Sequence, residues 1–191
     1  MFTMTLNDYK QKIINAFDSV DQNAVDSLVN MLARAYLARS SVYVCGNGGS
    51  ATISEHFTCD HSKGICTATN NTTFPRVVSL SSNIALITAI ANDFAYEDVF
   101  SKQLEYLAVP GDVLVAISSS GNSPNIVNVL QKAKELKVLT CSIVGFDGGA
   151  AKKQSDLCVH INSNNYGIVE DVTQSIMHYT SAILPSKVQS F

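Results

Sequence analysis

Four serines stand in the run Ile117-Ser118-Ser119-Ser120-Gly121-Asn122-Ser123, between an apolar stretch, DVLVAI, and a helical pattern, NIVNVLQKAKEL. Their hydroxyls and the free backbone N–H groups of a helix start converge on one small volume, where the positive end of the helix dipole favours an anion. A phosphate monoester fits that description. Uncharged hydroxyls grip it yet leave a mobile sugar phosphate free to depart. A serine that only caps the helix accounts for one of the four, not for the set.

A second loop, Gly46-Asn47-Gly48-Gly49-Ser50, also lies between a strand-like run, SVYVC, and a helical segment starting near Ser50. Gly46-x-Gly48-x-x-Ala51 has the spacing of a dinucleotide fingerprint. However, the following strand ends Ser79-Leu80-Ser81-Ser82-Asn83, with no acid to hold a ribose hydroxyl. No GxxxxGK[ST] run is present, which excludes a nucleotide P-loop. What remains is a glycine loop whose backbone lets a sugar come close, with Asn47, Gly48, Gly49 and Ser50 as its candidate contacts.

Two further constellations carry titratable groups. His56 and Asp60 are four residues apart on the helix after the glycine loop, and so share a face suited to a metal or a proton relay. Spacing alone favours an ordinary solvated pair. On a last helix, expected over 168–183, Glu170, Gln174 and His178 form a stripe, while Val172, Ile176, Tyr179 and Ile183 should face the core. Asn92 and Asp93 end another helix, where Asp93 serves equally well as a cap for the next. Lys63 lies one turn beyond Asp60. His61 and His160 read as structural.

The elements that must position these residues follow from periodicity. Residues 4–19 and 23–39 read as amphipathic helices, with Asp21 as N-cap of the second. Apolar runs of strand length occupy 41–45, 76–80, 112–118, 139–145 and 157–161. Helical patterns at 83–92, 97–107, 123–136 and 149–155 separate them. Continuous apolar strands alternating with helices imply a parallel sheet covered on both faces. The expected fold is α/β: a three-layer αβα sandwich with a five-stranded parallel sheet, doubly wound in the flavodoxin-like manner, preceded by a helical hairpin. One domain is expected over 1–191, divided into N-terminal helices (1–39) and an α/β core with its C-terminal helix (40–191).

GNGGSA followed by ISSSGNS resembles the SIS (sugar isomerase) family. ANDFAYEDVFSKQLE (91–105) and NNYGIVEDVTQSIMH (164–178) narrow the resemblance to its phosphoheptose isomerase branch, over about residues 5–185. That resemblance implies an intramolecular oxidoreductase converting sedoheptulose 7-phosphate to D-glycero-D-manno-heptose 7-phosphate through a metal-assisted enediol, for heptose supply to lipopolysaccharide or capsule. It implies Asp60 and His178 as catalytic residues and His56, Asp60, Glu170 and His178 as metal ligands, a set of two imidazoles and two carboxylates suited to Zn²⁺. It also implies sugar contacts from Asn92, Asp93 and Glu170, phosphate contacts from Ser118, Ser119, Ser120 and Ser123, and a homotetramer built through the N-terminal helices. The family's acid at position 60 is a glutamate; here it is Asp60, one methylene shorter, preceded by Cys59 where many relatives carry another acid. Open alternatives are an isomerase of another ketose phosphate and a non-catalytic sugar-phosphate-binding or regulatory module of the kind that associates with a replication initiator.

Composition narrows the classes. Of the 191 residues 46% are hydrophobic and 15% charged, and the net charge is −3 with no basic run, which argues against a nucleic-acid partner. No apolar run is long enough for a bilayer, and the N-terminus lacks the pattern of a signal peptide, so a cytoplasmic location is expected. Five cysteines without paired spacing give no disulfide framework; Cys45, Cys141 and Cys158 sit in strand-like runs as expected buried thiols.

Overall fold

The computed structural model describes residues 4–190; residues 1–3 and 191, at the ends of the domain expected over 1–191, lie outside the described part. Helix α1 (Leu6–Asp18) begins at a capping box, in which the Thr5 hydroxyl accepts from the Asp8 backbone and Asp8 accepts from the Thr5 backbone. Helix α2 (Gln22–Ala38) begins at Asp21, as its sequence implied. The strands are β1 (Ser41–Cys45), β2 (Arg76–Ser79), β3 (Val113–Ser118), β4 (Leu139–Val144) and β5 (Leu157–His160). All pair in parallel, in the order β2-β1-β3-β4-β5. That is the doubly wound arrangement expected from the alternation of strands and helices.

Side-chain alternation divides the interior. Val113, Val115 and Ile117 point to a core shared with α1, α2, α3 (Gly49–Cys59) and α9 (Tyr166–Gln189), whereas Leu114 and Ala116 point to a second core. The second core is closed by α5 (Ile84–Asp93), α6 (Ser101–Leu107), α7 (Pro124–Glu135) and α8 (Gly149–Gln154). Strand β3 is buried along its whole length, which is why it reads as an unbroken apolar run. Tyr9 donates to Asp171 at 2.7 Å, tying α1 to α9, and this carboxylate acceptor pushes the phenol's pKa up.

Four local features depart from the periodicity. The segment expected as one helix over 97–107 is a 3₁₀ turn, Tyr96–Asp98, followed by α6; between them Val99 and Phe100 turn inward and are buried. Helix α9 runs past Pro185 to Gln189, because buried Leu184 and Val188 hold its last turns against the core. Tyr179, expected to face the core, is 42% exposed, while Val172 and Ile176 are buried as expected. After α3 the chain does not leave the helical path. It widens into a π-helical turn, Asp60–Gly64, in which the N–H of Ile65 reaches the carbonyl of Asp60, and then continues as α4 (Ile65–Ala68).

Candidate active site

The strand order reverses between β1 and β3, and the glycine loop follows β1 while the serine loop follows β3. Both loops therefore flank the crevice where ligands of such sheets bind. The loops are joined by a reciprocal amide pair: Asn47 donates to Asn125 at 2.8 Å and Asn125 donates to Asn47 at 2.9 Å. The Tyr96 hydroxyl adds a third bond, donating to the Asn47 side-chain oxygen at 3.0 Å. Neither Asn125 nor Tyr96 was apparent as a site residue in the sequence. The signal for Asn125 is a polar residue, 2% exposed, in the first turn of an otherwise apolar helix face.

Beneath this bridge lies a cavity of about 130 Å³ lined by Asn47, Ser50, Ser118, Ser119, Ser120, Ser123, Tyr166 and Glu170. All four serines of the loop converge there. Ser123 occupies the N-cap of α7 but makes no side-chain capping bond, and Pro124 at the helix start has no N–H to satisfy. The Ser123 hydroxyl thus remains available to a ligand. Ser120 Oγ accepts from the Asn122 N–H at 3.3 Å, which leaves its own proton to donate. The loop is seated on the turn after β4: a Cβ at Gly121, where φ is +66°, would collide with the Gly148 carbonyl. Gly48 caps α3 at φ +54°, and Gly49 lies against the Glu170 carboxylate, which a Cβ there would meet at 2.5 Å.

The second centre forms where α3 and its π-turn meet α9. Asp60 Oδ1 is 3.5 Å from His56 Nε2 and Asp60 Oδ2 is 3.7 Å from His178 Nε2. The two imidazoles meet edge to face, 4.9 Å apart. One donor atom from each of the three residues lies within 4.8 Å of the others. Two imidazole nitrogens and a carboxylate oxygen, open to solvent on one side, are a donor set that could hold a divalent metal ion. The Gln174 side-chain nitrogen stands 2.8 Å from His178 Nε2 and donates to it when that ring is neutral and protonated on Nδ1.

Glu170 is not part of this trio. It is eight residues before His178 on α9, about 12 Å at 1.5 Å per residue, and lies instead in the serine-loop cavity. Asn92 and Asp93 end α5 on the surface, bonded to each other at 2.8 Å, and do not line that cavity. Lys63 and Cys59 are exposed on and beside the π-turn. His61 is wholly buried, and burial pushes its imidazole down to about 3, so it is neutral at physiological pH. His160 is bonded through Nε2 to the Phe146 carbonyl at 3.0 Å. Cys45 and Cys141 are buried, and Cys158 is partly so.

Residues 7–145 match the family described as SIS domain. The chain belongs to that family. Within it, the chain is 35% identical over 164 residues to the phosphoheptose isomerase of Helicobacter pylori, covering 82% of this chain and 80% of that one. It is 32% identical over 179 residues to the phosphoheptose isomerase of Clostridium acetobutylicum, with 94% and 89% covered. This places the SIS domain here in the phosphoheptose isomerase branch. Solved structures share the fold. The phosphoheptose isomerase of Neisseria gonorrhoeae superposes with a TM-score of 0.86 at 24% identity, covering 95% of this chain and 97% of that one. That of Francisella tularensis superposes with a TM-score of 0.84 at 25% identity, with 95% and 96% covered.

Proposed function

We propose that this chain is a sugar-phosphate aldose–ketose isomerase that converts sedoheptulose 7-phosphate to D-glycero-D-manno-heptose 7-phosphate. The observation that carries the reading is the meeting of His56, Asp60 and His178, delivered by two helices far apart in sequence, in a chain that also presents a serine-lined anion cavity. A module that only binds sugar phosphates needs the cavity but not the trio.

In this reading Ser118, Ser119, Ser120 and Ser123 hold the phosphate, so that its binding energy orients the distant reacting carbons. Asn47, Gly48, Gly49, Ser50 and Glu170 contact the sugar, whereas Asn92 and Asp93, paired on the surface at the end of α5, are not given that role. The Asp60 carboxylate takes the proton from the carbon next to the carbonyl and returns it to the neighbouring carbon. His178 moves the matching proton between the two oxygens as the enediol forms and collapses. His56, Asp60 and His178 would hold a divalent ion, Zn²⁺ by the donor set, which when bound polarises the sugar oxygens.

The chain works as a homotetramer in the cytoplasm, supplying heptose for surface polysaccharide. Support for assembly comes from Leu6 (84% exposed), Ile14 and Phe17 on α1, apolar surface beyond what a lone domain leaves open. Among the described residues no helix is long and apolar enough to cross a membrane.

The test is NMR in D₂O with a panel of ketose phosphates. Sedoheptulose 7-phosphate should exchange its proton at the C1/C2 positions with the wild type and not with His178→Ala, while the variant still binds the phosphate ester. Binding by the wild type without exchange on any member of the panel would leave a sugar-phosphate sensor.

A further inference from the structure

Directly behind the solvent-facing trio lies a second, buried layer. His56 and Asp60 face outward; their neighbours Phe57 and His61 face inward and are 1% and 0% exposed. The His61 ring stacks on Phe57, centroid to centroid 3.7 Å, and both its nitrogens are engaged. Nδ1 is 2.6 Å from the hydroxyl of Tyr36 on α2, and Nε2 is 3.2 Å from Oγ1 of Thr180 on α9.

The partners assign the hydrogen to one nitrogen. Thr180 Oγ1 donates its one hydrogen to the Met177 carbonyl at 2.8 Å, so it can only accept from His61. Nε2 is therefore the N–H donor, and Nδ1 is the acceptor for the Tyr36 hydroxyl. Tyr36 is itself buried, and this ring nitrogen is the partner that satisfies its phenol. An imidazole can serve both sides at this position; an aliphatic residue can serve neither.

The placement matters because of what flanks each end of the link. His61 follows Asp60 in the π-turn. Met177 and Thr180 bracket His178 on α9. The bond from His61 to Thr180 thus sets the register of the π-turn against the one stretch of α9 that carries His178, while the Tyr36 bond anchors the turn to α2. To the apolar packing of Phe57 and Ile65 in the core they share with Ile176 and Met177, this bond adds a directional tie, next in sequence to the Asp60 that lies 3.7 Å from His178.

We propose that His61 is a positioning residue, whose doubly bonded imidazole holds Asp60 in register with His178 and thereby shapes the metal-binding and proton-transfer centre. This rests on reading the trio as that centre, and the test separates the two. Three variants are compared with the wild type for Co²⁺ binding by visible absorption, inorganic phosphate binding by calorimetry, and kcat and KM for isomerisation. His61→Leu with Tyr36→Phe removes both bonds and also the phenol that would be left unsatisfied, so that its melting temperature stays near that of the wild type. His61→Gln can keep the amide N–H to Thr180, and His61→Asn can keep only an acceptor for Tyr36.

The double variant should lose about 10- to 100-fold in Co²⁺ affinity and in kcat, as loss of a residue supporting metal ligands does, with phosphate affinity unchanged. His61→Gln should recover much of both and His61→Asn should not, although the two lose similar stability. A double variant with wild-type Co²⁺ affinity and kcat overturns the proposal, as does equal impairment of Gln and Asn variants in step with their stability. A wild type that neither binds Co²⁺ nor exchanges substrate protons overturns the reading of the trio, and this proposal with it.

Discussion

Asp60 and His178 are far apart in sequence, yet a carboxylate oxygen of one lies 3.7 Å from Nε2 of the other. Each is held by a different helix, and neither is buried. A contact between exposed groups of this kind is worth little to stability. Its persistence is better understood as the use to which the two helices are put.

Metal removal should therefore silence the protein without unfolding it. Dialysis against a chelator should abolish isomerisation, with activity restored by adding Zn²⁺, while circular dichroism stays constant because the trio lies outside both cores. His56→Ala should weaken Co²⁺ binding by about 10-fold or more. A chelated protein with full activity would remove the metal from the mechanism.

The serine loop predicts a different signature. Ser120→Ala and Ser123→Ala each remove one hydrogen bond to a charged ligand, worth about 1.5–3 kcal/mol. Phosphate-ester affinity should fall by about 10- to 100-fold, with Co²⁺ binding untouched. Unchanged affinity in both would move the anion elsewhere.

Two glycines should separate folding from function. At Gly121 a side chain meets the Gly148 carbonyl in a positive-φ conformation, and backbone cannot yield cheaply. Gly121→Ala should destabilise by about 2–5 kcal/mol, summing left-handed strain and overpacking. At Gly49 the obstacle is the mobile end of Glu170. Gly49→Ala should melt near the wild-type temperature yet bind substrate more weakly, because it pushes Glu170 out of its place. Chemical denaturation and KM measurements distinguish the two outcomes.

Thiol chemistry reports on the cores. Burial pushes the Cys45 and Cys141 thiols far up from the usual range, so neither forms thiolate in the native state at pH 8. A maleimide-type or disulfide reagent should label exposed Cys59 quickly, with Cys45 and Cys141 labelled only after denaturant is added. Rapid native labelling of Cys141 would mean that the sheet opens locally.

Much of this was legible in the residues. Strands buried on both faces announce themselves as unbroken apolar runs, and the reversal of strand order sets the GNGGS and SSSGNS loops side by side. The exceptions have physical causes. The π-turn after Cys59 carries no signal in its residues, and the partners of its buried His61, on α2 and α9, come near only in the folded chain. Glu170 shares a stripe with His178, but a stripe is a direction, and two helical turns along it separate residues that look adjacent on a wheel. Tyr179 fell on the wrong side because the apolar face of a long helix drifts with its 3.6-residue period. The Asn47–Asn125 bridge links two loops that only the completed sheet brings together.

Ser123 sits where a capping side chain belongs, and does not cap. The first turn of α7 is left unfinished by the polypeptide, and a phosphate group seated on the serine loop would finish it. Occupancy by any such metabolite should then raise the melting temperature in proportion to the logarithm of its concentration. Abundance of the protein in a cell would track the supply of the compound it consumes.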